Sequence, residues 1–536
     1  MMQTTFMDNP YPTRRTPLMA ANGVVATSHP LAAQAGLQIL QAGGNAIDAA
    51  VATAITLTLV EPTSNGIGGD GFALIWDGQQ LHGLNAAGRA PAALTPASLA
   101  QAGITALVPH GWLAVTVPGA PSGWQAMHAK FGTLPFAQLV QPALTYAEQG
   151  HAVAPMVARN WAIGVAMARE RTAPMYQGFL PTFAPHGSAP LAGSIYTSSA
   201  HARTYRHLAQ HGVDAFYRGA IGEAILAFSR ATGGFLTADD LANHSATWVE
   251  PISISYRGQQ VWEIPPSGQG LAALIALGIL EGLDVAAHPR DSVQTYHTQI
   301  EVMKLAFADA HRYIADPDFA AVPVAGLLSP AYLAQRRALI GPTARTPSAG
   351  PPPHGGTVYL CTADREGRMV SMIQSNFWGF GSGVVIPDWG IALHNRGYGF
   401  TLDPQHPNVL AAGKRPYHTI IPGFLTRAGQ AIGPFGVMGG PMQPQGHMQV
   451  VANMYDYGLH VQAALDAPRW RVGEGAVYVE PETPRHILAG LEARGHQLVI
   501  ETEPYGFGRG QIIQRLASGA YIAGSESRCD GAAVGW

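Results

Sequence analysis

The chain has 536 residues and a formal net charge of −3, with 47% hydrophobic and only 12% charged residues. An average soluble domain carries roughly 25% charged residues, so much of this chain is expected to lie in a core, and intrinsic disorder is excluded. The near-neutral balance argues against a nucleic-acid or acidic-membrane partner, because both select clustered Lys and Arg. The length allows two to four domains or one large layered fold.

Targeting signals and metal-binding patterns are missing from the sequence. Its first twenty residues have no signal-peptide apolar region, and the longest apolar stretch, 49–60, is shorter than the roughly twenty residues of a membrane span. We therefore expect a cytoplasmic protein. The two cysteines, Cys361 and Cys529, are expected to be reduced thiols. With no His-Glu-x-x-His or Cys-x-x-Cys spacing, neither a metal nor a cofactor is expected.

The first ninety residues alternate between strand and helix patterns. In chain order they predict a strand, two helices, a glycine-rich loop and a hairpin: 23–30, 31–44, 45–60, 61–71 and 71–84. The second helix is apolar nearly all round, which predicts that it is buried. The loop contains GIGGDG, which fits G-x-G-x-x-G, but it follows a helix and precedes a strand. That order is the reverse of a dinucleotide site, so we do not expect one.

The rest of the chain divides at a Pro/Gly-rich linker, residues 341–356. Before it we predict a mainly helical region, a hairpin and two long helices: 120–250, 252–264, 269–283 and 292–314. After it we predict strands at 357–363, 368–375, 417–425 and 475–480.

The strand that begins directly after the linker opens with Thr357. Asp364 to Gly367 form a strong turn signal, so the next strand folds back as a hairpin. If residues 364 and 368 close the turn, facing residues have numbers that sum to 732. Thr357 then lies opposite Ser375, with their Cβ atoms roughly 5 Å apart.

A threonine after a flexible Gly-Gly linker permits a particular chemistry. If the Gly356–Thr357 bond is cut, Thr357 gains a free α-amine with a reference pKa near 7.7–8.0. This amine can act as general base for the residue's own hydroxyl. On pattern alone, an ordinary strand threonine is the favoured interpretation of Thr357, and a tight turn explains Gly439–Gly440 in FGVMGGPMQ.

Several segments together resemble the gamma-glutamyltransferase family. They are GGNAIDAAVATAITLTLVEPTSNGIGGDGFALIWDG (43–78), VPGAPSGW (117–124), LTADDLA (236–242), IPPSGQG (264–270), IEVMKLAFADAHRYIADPDF (300–319) and GKRPYHTIIP (413–422). The resemblance spans nearly the whole chain in the right order. It implies an α+β fold, the four-layer αββα sandwich of N-terminal-nucleophile hydrolases.

The resemblance also implies self-cleavage and assigns catalytic residues. Cleavage between Gly356 and Thr357 would give a large piece, 1–356, and a small piece, 357–536, which form one fold as a heterodimer. Thr357 matches the catalytic threonine and Ser375 a second hydroxyl that supports it. Gly439 and Gly440 match the glycine pair whose N–H groups hold the oxyanion.

The substrate-binding positions depart from the family pattern. Where family members use a Gln and an Asp to hold a γ-glutamyl α-ammonium, this chain has Arg396 and Gly399. The serine pair that meets the α-carboxylate is replaced by His418 and Thr419. Arg396 would repel an ammonium, and we expect it to clamp a substrate carboxylate instead. A salt-bridged Arg396 and a core His418 are the structural alternatives.

Further departures concern the pocket walls. Phe377 replaces an Asn near the nucleophile, and Tyr398 lies in the segment that carries Arg396. Arg89 is the nearest counterpart of the family's carboxylate-binding arginine, but its spacing to the following Ala-Pro is two residues shorter. These changes predict a small carboxylate-bearing amide without an α-ammonium, and the chain is similar to members that release ammonia from oxamate.

Three other functions remain open from the sequence. The first is a γ-glutamyl hydrolase or transferase that holds the γ-glutamyl group with different residues from those of the family. The second is a glutaryl or cephalosporin acylase, which needs a roomier pocket than the aromatic residues suggest. The third is an unprocessed binding protein without catalysis.

Overall fold

The computed structural model describes residues 9–13, 15–345 and 356–536. Its strands are β1 Leu18–Ala20, β2 Gly23–Thr27, β3 Asp70–Trp76, β4 Leu81–Ala86, β5 His151–Ala152, β6 Ile195–Tyr196, β7 Thr247–Val249, β8 Ile252–Tyr256, β9 Gln259–Glu263, β10 Gly356–Asp364, β11 Met369–Phe377, β12 Val385–Ile386, β13 Ile391–Ala392, β14 Gly423–Arg427, β15 Gln430–Met438, β16 Trp470–Val472, β17 Val477–Val479, β18 Leu498–Ile500, β19 Arg509–Arg515, β20 Tyr521–Ser525 and β21 Ala532–Gly535.

The helices lie between these strands. They are α1 Pro30–Gln41, α2 Ala46–Val60, α3 Pro96–Gln101, α4 Ala120–Phe131, α5 Phe136–Gln149, α6 Pro155–Arg169, α7 Phe179–Phe183, α8 Ser199–His211, α9 Asp214–Tyr217, α10 Ala220–Thr232, α11 Ala238–Ala242, α12 Gly270–Glu281, α13 Val293–Tyr313, α14 Val324–Leu327, α15 Pro330–Arg337, α16 Met442–Tyr455, α17 Val461–Asp466 and α18 Arg485–Ala493.

Two seven-stranded antiparallel sheets face each other at the centre. Sheet I has the order β21-β2-β10-β11-β3-β4-β7, and sheet II has the order β1-β20-β19-β15-β14-β9-β8. Alternate side chains of both sheets meet in a shared apolar layer, which includes Phe72, Tyr359, Ile373, Phe424 and Ile513. Alternation of side chains along each strand explains why one face of each sheet supplies this layer.

Helices cover the outer face of each sheet. The helix α2, in which every residue is buried, packs with α1, α4 and α5 against sheet I. The helices α12, α13 and α16 pack against sheet II. This gives the layer order helix, sheet, sheet, helix, so the predicted αββα sandwich is confirmed.

The strands that follow the predicted cleavage point lie inside sheet I. β10 pairs with β2, and β11 pairs with β3, so the hairpin β10–β11 is inserted between strands from the first third of the chain. The segments 1–356 and 357–536 therefore share one sheet. Within the described ranges no helix combines the length and apolar character that a membrane span requires.

One predicted strand differs from the structure in its bounds. The segment 417–425 was predicted as one strand, but β14 begins only at Gly423. Before it, His418 exchanges backbone hydrogen bonds with Ser267 and Gln269 in a loop, which holds it out of sheet II. Of the linker 341–356, residues 346–355 lie outside the described residues. Cys361 and Cys529 are both buried and free, as expected.

Candidate active site

Thr357 and Ser375 meet at the start of the β10–β11 hairpin. Val358 pairs with Gln374 and Tyr359 with Ile373, so the predicted sum of 732 is confirmed along the hairpin. The register shifts between Gly356 and Val358, which places Thr357 at a bulge. Its Oγ lies 3.1 Å from the Oγ of Ser375. Gly367, with a φ of 86°, closes the turn that fixes this register.

The hydrogen bonds of Ser375 define the direction of proton donation. Its hydroxyl contacts the carbonyl oxygen of Gly356 at 2.8 Å and the N–H of Phe377 at 2.7 Å. The carbonyl can only accept, so it takes the single Ser375 proton, and the Phe377 N–H can only donate. The Thr357 hydroxyl must then donate to Ser375. The Thr357 hydroxyl proton thus points to the Ser375 oxygen. The Ser375 proton, in turn, polarises the carbonyl of Gly356.

Phe377 completes this arrangement in an unfavourable backbone conformation. Its φ is 74°, a left-handed value that is rare for a residue with a large side chain. Such conformations cost on the order of 1–3 kcal/mol and persist where the surroundings require them. Here the turn directs the Phe377 N–H at the Ser375 hydroxyl, and the strain therefore serves the hydrogen-bond network around Thr357.

Gly356 occupies a tight place in the fold. A Cβ at this position would lie 3.0 Å from the Tyr505 hydroxyl and 3.2 Å from both the Gly379 nitrogen and the Thr63 oxygen. The side chain of Thr357 is fully buried in the uncut chain. A larger residue at position 356 would therefore require its neighbours to move, beside a threonine that is itself enclosed.

Gly439 and Gly440 follow β15, on the sheet that faces Thr357. Their φ values are 136° and 58°, and the Gly440 carbonyl accepts a hydrogen bond of 2.9 Å from Gln269. Both conformations are readily available only to glycine. The helix α16 begins two residues later, at Met442, and the partial positive charge of its N-terminus favours an anion nearby. This geometry suits the oxyanion-binding role predicted for the pair, which stays a prediction.

Arg396 is buried and paired with a carboxylate that the sequence analysis missed. Its Nε lies 2.9 Å from one oxygen of Asp70, and a terminal nitrogen lies 3.3 Å from the other. The remaining terminal nitrogen donates to the Thr419 hydroxyl at 2.8 Å. The guanidinium also packs 4.4 Å from the Phe377 ring centroid. The expected substrate clamp stays a prediction, but a substrate carboxylate would have to share Arg396 with Asp70.

His418 joins the same buried group. Its Nε2 lies 2.7 Å from Asp70. Burial, aided by the charge of Arg396, lowers the pKa of His418 to about 4, so at neutral pH an uncharged imidazole donates this bond. Burial alone would raise the pKa of Asp70, but Arg396 and His418 outweigh it and hold that pKa far below its usual range. Asp70 is therefore ionised, with both oxygens engaged.

Two cavities lie on either side of the Phe377–Trp378 peptide. The first, which we call the Gly356 cavity, has a volume of about 430 Å³, and its lining includes Gly356, Trp378 and Tyr505. The second, the Phe377 cavity, has a volume of about 440 Å³, and its lining includes Phe377, Tyr398 and Thr419. Thr357 lines neither cavity, so the small substrate pocket expected from the aromatic residues stays a prediction.

Arg89 lies outside the lining of both cavities. Its guanidinium is 2.7 Å from Asp318 and 3.5 Å from Asp316, and it also donates to the Gly413 carbonyl. Its side chain is 37% exposed, and the lining of neither cavity includes it. A role in substrate binding stays a prediction, although two carboxylates already hold this arginine.

One group in the described part of the chain has the residue types of a metal site. His297, Glu301 and His496 lie close together, far from Thr357 in the fold, between α13 and the segment after α18. The Nδ1 of His297 lies 2.8 Å from the Nε2 of His496, as in a hydrogen bond, and the Lys304 ammonium binds Glu301 at 2.7 Å. That ammonium opposes a second cation at the same carboxylate.

Comparison with known proteins agrees with this geometry. The Gamma-glutamyltranspeptidase family model matches residues 32–536. The chain is 34% identical to the oxamate amidohydrolase proenzyme of Klebsiella pneumoniae, over 97% of this chain and 99% of that protein. It is equally identical, 34%, to the glutathione hydrolase-like YwrD proenzyme of Bacillus subtilis, over 96% and 98%. The crystal structure of cephalosporin acylase from Bacillus halodurans is 52% identical, with a TM-score of 0.94 over 100% and 99% of the two chains.

The fold and the threonine at the head of an inner strand define an N-terminal-nucleophile hydrolase. The chain belongs to the gamma-glutamyltranspeptidase family. Proenzymes of this family are amide hydrolases that process themselves, as the sequence analysis expected.

Several residues that surround the site were not predicted. Asp70 lies in the glycine-rich loop, within the segment 43–78 that carries the family resemblance, but no role was predicted for it. The available signal was an acidic residue between a predicted buried helix and a predicted strand, where a buried charge requires a partner. Tyr505 and Thr63, which enclose Gly356, come from loops distant in sequence, and no local pattern marks them.

Proposed function

We propose that this protein cuts itself between Gly356 and Thr357 and then hydrolyses a carboxylate-bearing amide with Thr357 as nucleophile. The observation that carries the proposal is the Ser375 hydroxyl, which touches both the Thr357 oxygen and the Gly356 carbonyl. Attack of Oγ on that carbonyl breaks the Gly356–Thr357 C–N bond and gives an ester, and the released α-amine takes the hydroxyl proton. Water then hydrolyses the ester. The pieces 1–356 and 357–536 then stay together as a heterodimer, because β10 and β11 are hydrogen-bonded between β2 and β3.

The proposed cycle uses groups of this chain alone and needs no cofactor. The new α-amine of Thr357 accepts the hydroxyl proton, and Oγ attacks the substrate carbonyl. The N–H groups of Gly439 and Gly440 hold the oxyanion. The Thr357 α-ammonium then passes its proton to the substrate nitrogen as the C–N bond breaks, so a neutral amine leaves, or ammonia from a primary amide. Water then cleaves the acyl-threonine ester.

Ser375→Ala is expected to slow self-cleavage by about 10²- to 10³-fold, the usual loss when one donor to a developing oxyanion is removed. The Ser371→Ala variant is the matched control, since Ser371 is a buried hydroxyl on the same strand that binds Tyr359 at 2.7 Å. It should cut at the normal rate. The measurement is the fraction of uncut chain over time on a denaturing gel. Equal rates for Ser375→Ala and the parent chain would remove Ser375 from the mechanism.

The charges of the site argue against a γ-glutamyl substrate. An α-ammonium needs a carboxylate partner, and the nearest buried candidate, Asp70, already accepts hydrogen bonds from Arg396 and His418. Arg396 would also repel it. An acyl group without the ammonium avoids both costs.

The room near the Gly356–Thr357 bond favours an acylase-type amide as the substrate. Gly356 lines a cavity of about 430 Å³, and Phe377 and Thr419 line one of about 440 Å³, so both can hold larger groups than oxamate. The 52% identity to a cephalosporin acylase supports the same choice. Oxamate stays a second candidate, supported by the buried Arg396 and by the oxamate amidohydrolase relative.

A matched pair of substrates tests the proposal. Glutaryl-4-nitroanilide and γ-glutamyl-4-nitroanilide differ only in the α-ammonium group, and we expect the glutaryl compound to be hydrolysed faster by about tenfold or more. N-terminal sequencing of the same sample should find a new chain end at Thr357. Faster release from the γ-glutamyl compound would favour the glutathione hydrolase alternative. Ammonia release from oxamate faster than both would favour the second candidate.

A further inference from the structure

The Gly356 cavity has an uneven distribution of charge. Two acidic residues line it, and each has a basic partner: Glu501 lies 2.8 Å from Arg471, and Glu503 pairs with Arg159. These two pairs are therefore close to neutral. One further charged residue, Arg171, lines the same cavity.

Arg171 forms no ion pair in the described part of the chain. Within those residues no carboxylate oxygen lies within 4.0 Å of its guanidinium, and the guanidinium makes no hydrogen bond there; it lies 5.8 Å from the Tyr176 ring centroid, and the charge of Glu170 acts on it from beyond 4.0 Å. Arg171 lies two residues after the end of α6 and is half-buried. Burial lowers its pKa. The neighbouring His110 adds no charge at neutral pH, because burial and Arg171 lower its pKa to about 4.

An unpaired, partly dehydrated guanidinium attracts an anion of matching shape. Its planar fork fits a carboxylate with two parallel hydrogen bonds. Apolar side chains, among them Ile163, Met167 and Phe380, form much of the rest of the wall. The cavity thus suits an apolar arm that ends in a carboxylate.

The other candidate arginines are already engaged. Arg396 is held by Asp70, and Arg89 by Asp318 and Asp316. The Gly356 cavity also contains the residue whose carbonyl Thr357 would attack, so a ligand in it adjoins the reacting bond.

We propose that Arg171 binds a carboxylate of the amide substrate in the Gly356 cavity and so sets a preference for acidic amides. This inference rests on the proposed function. The carboxylate can belong to the acyl part or to the amine part of the substrate, since both substituents of the amide adjoin Thr357.

Three chromogenic amides test the inference. Butyryl-4-nitroanilide has no carboxylate, glutaryl-4-nitroanilide has one in the acyl part, and N-butyryl-5-amino-2-nitrobenzoate has one in the amine part. In Arg171→Met, the ratio of kcat/KM for one acidic amide to that for the neutral amide should fall by about 10- to 100-fold, mainly through KM. The acidic amide that responds identifies the part that carries the carboxylate.

The matched control is Arg169→Met, which removes the same charge two residues away. Arg169 is exposed and binds the Gly187 carbonyl, outside the cavity lining. It should keep the parent ratio. An unchanged ratio for both acidic amides in Arg171→Met, or an equal fall in Arg169→Met, would overturn the inference. Gels give the cut fraction of each variant, and kcat/KM is expressed per cut enzyme.

A binding measurement separates this inference from the proposed function. Glutarate and 5-amino-2-nitrobenzoate are titrated calorimetrically into the cut parent protein and Arg171→Met. Binding of either anion that is lost in the variant supports the Arg171 site even if no amide is hydrolysed. Binding that is absent from the parent, or equal in both proteins, counts against it.

Discussion

Thr357→Ala is expected to leave the chain in one piece and without amidase activity. The variant lacks the hydroxyl that attacks the Gly356 carbonyl, and Ser375 cannot replace it, because its own oxygen already donates to that carbonyl. In proportion to residue number, a mass of 56.4 kDa divides into pieces of about 37 and 19 kDa. A denaturing gel should show these two bands for the parent and a single full-length band for the variant.

The loss of turnover should be large, at least about 10⁴-fold in kcat, as for other nucleophile deletions. Thr357→Ser is the matched control: it keeps the hydroxyl and the future α-amine and should still cut itself. A Thr357→Ala chain that splits at the same bond would assign self-cleavage to another group. An uncut Thr357→Ala chain that hydrolyses amides at the parent rate would assign catalysis elsewhere.

The placement of Ser375 against Thr357 could be predicted because it depends on local chemistry. Asp364 and Gly367 specify one turn, and a turn of known length fixes every pair along the hairpin. Asp364 accepts hydrogen bonds from the N–H groups of Glu366 and Arg368, which holds that turn in place. The helix α2 was predictable for a similar reason, since a segment that is apolar on all sides has few stable locations outside a core.

The electrostatics of the site could not be predicted in the same way. Arg396 was expected to clamp a substrate carboxylate, because Gly399 stands where family members have an Asp; a salt-bridged Arg396 was the alternative. Its partner Asp70 lies 326 positions away and meets it only once β3 and the turn at residues 396–399 are in place. Similarly, Arg171 carries no sequence signal, because what distinguishes it is the pairing of its neighbours Glu501 and Glu503 with other arginines. Contacts across the fold decide which charges are left for a ligand.

Asp70→Asn should have the largest effect on stability. Asp70 and Arg396 are both fully buried, and loss of the carboxylate charge leaves a guanidinium without compensation in a region of low dielectric. Breaking one side of such a pair typically costs about 3–5 kcal/mol in the free energy of unfolding. We expect this loss in urea unfolding, measured in the Thr357→Ala background so that a single uncut chain unfolds. The exposed Asp239→Asn serves as the control and should change the free energy by less than about 0.5 kcal/mol.

A double-mutant cycle then tests whether Arg396 pairs with Asp70 or is free to bind a substrate carboxylate. If Asp70 is its partner, Asp70→Asn combined with Arg396→Met should be more stable than the sum of the single losses by about 2 kcal/mol, because the double variant buries no lone charge. A coupling near zero, with a small loss for Asp70→Asn, would mean that Asp70 does not hold the guanidinium. Arg396 would then be free to clamp a substrate carboxylate, as its position in the sequence suggested. A strong coupling would instead mean that Asp70, Arg396 and His418 form a structural group that does not bind substrate. Carboxylate recognition would then fall to Arg171.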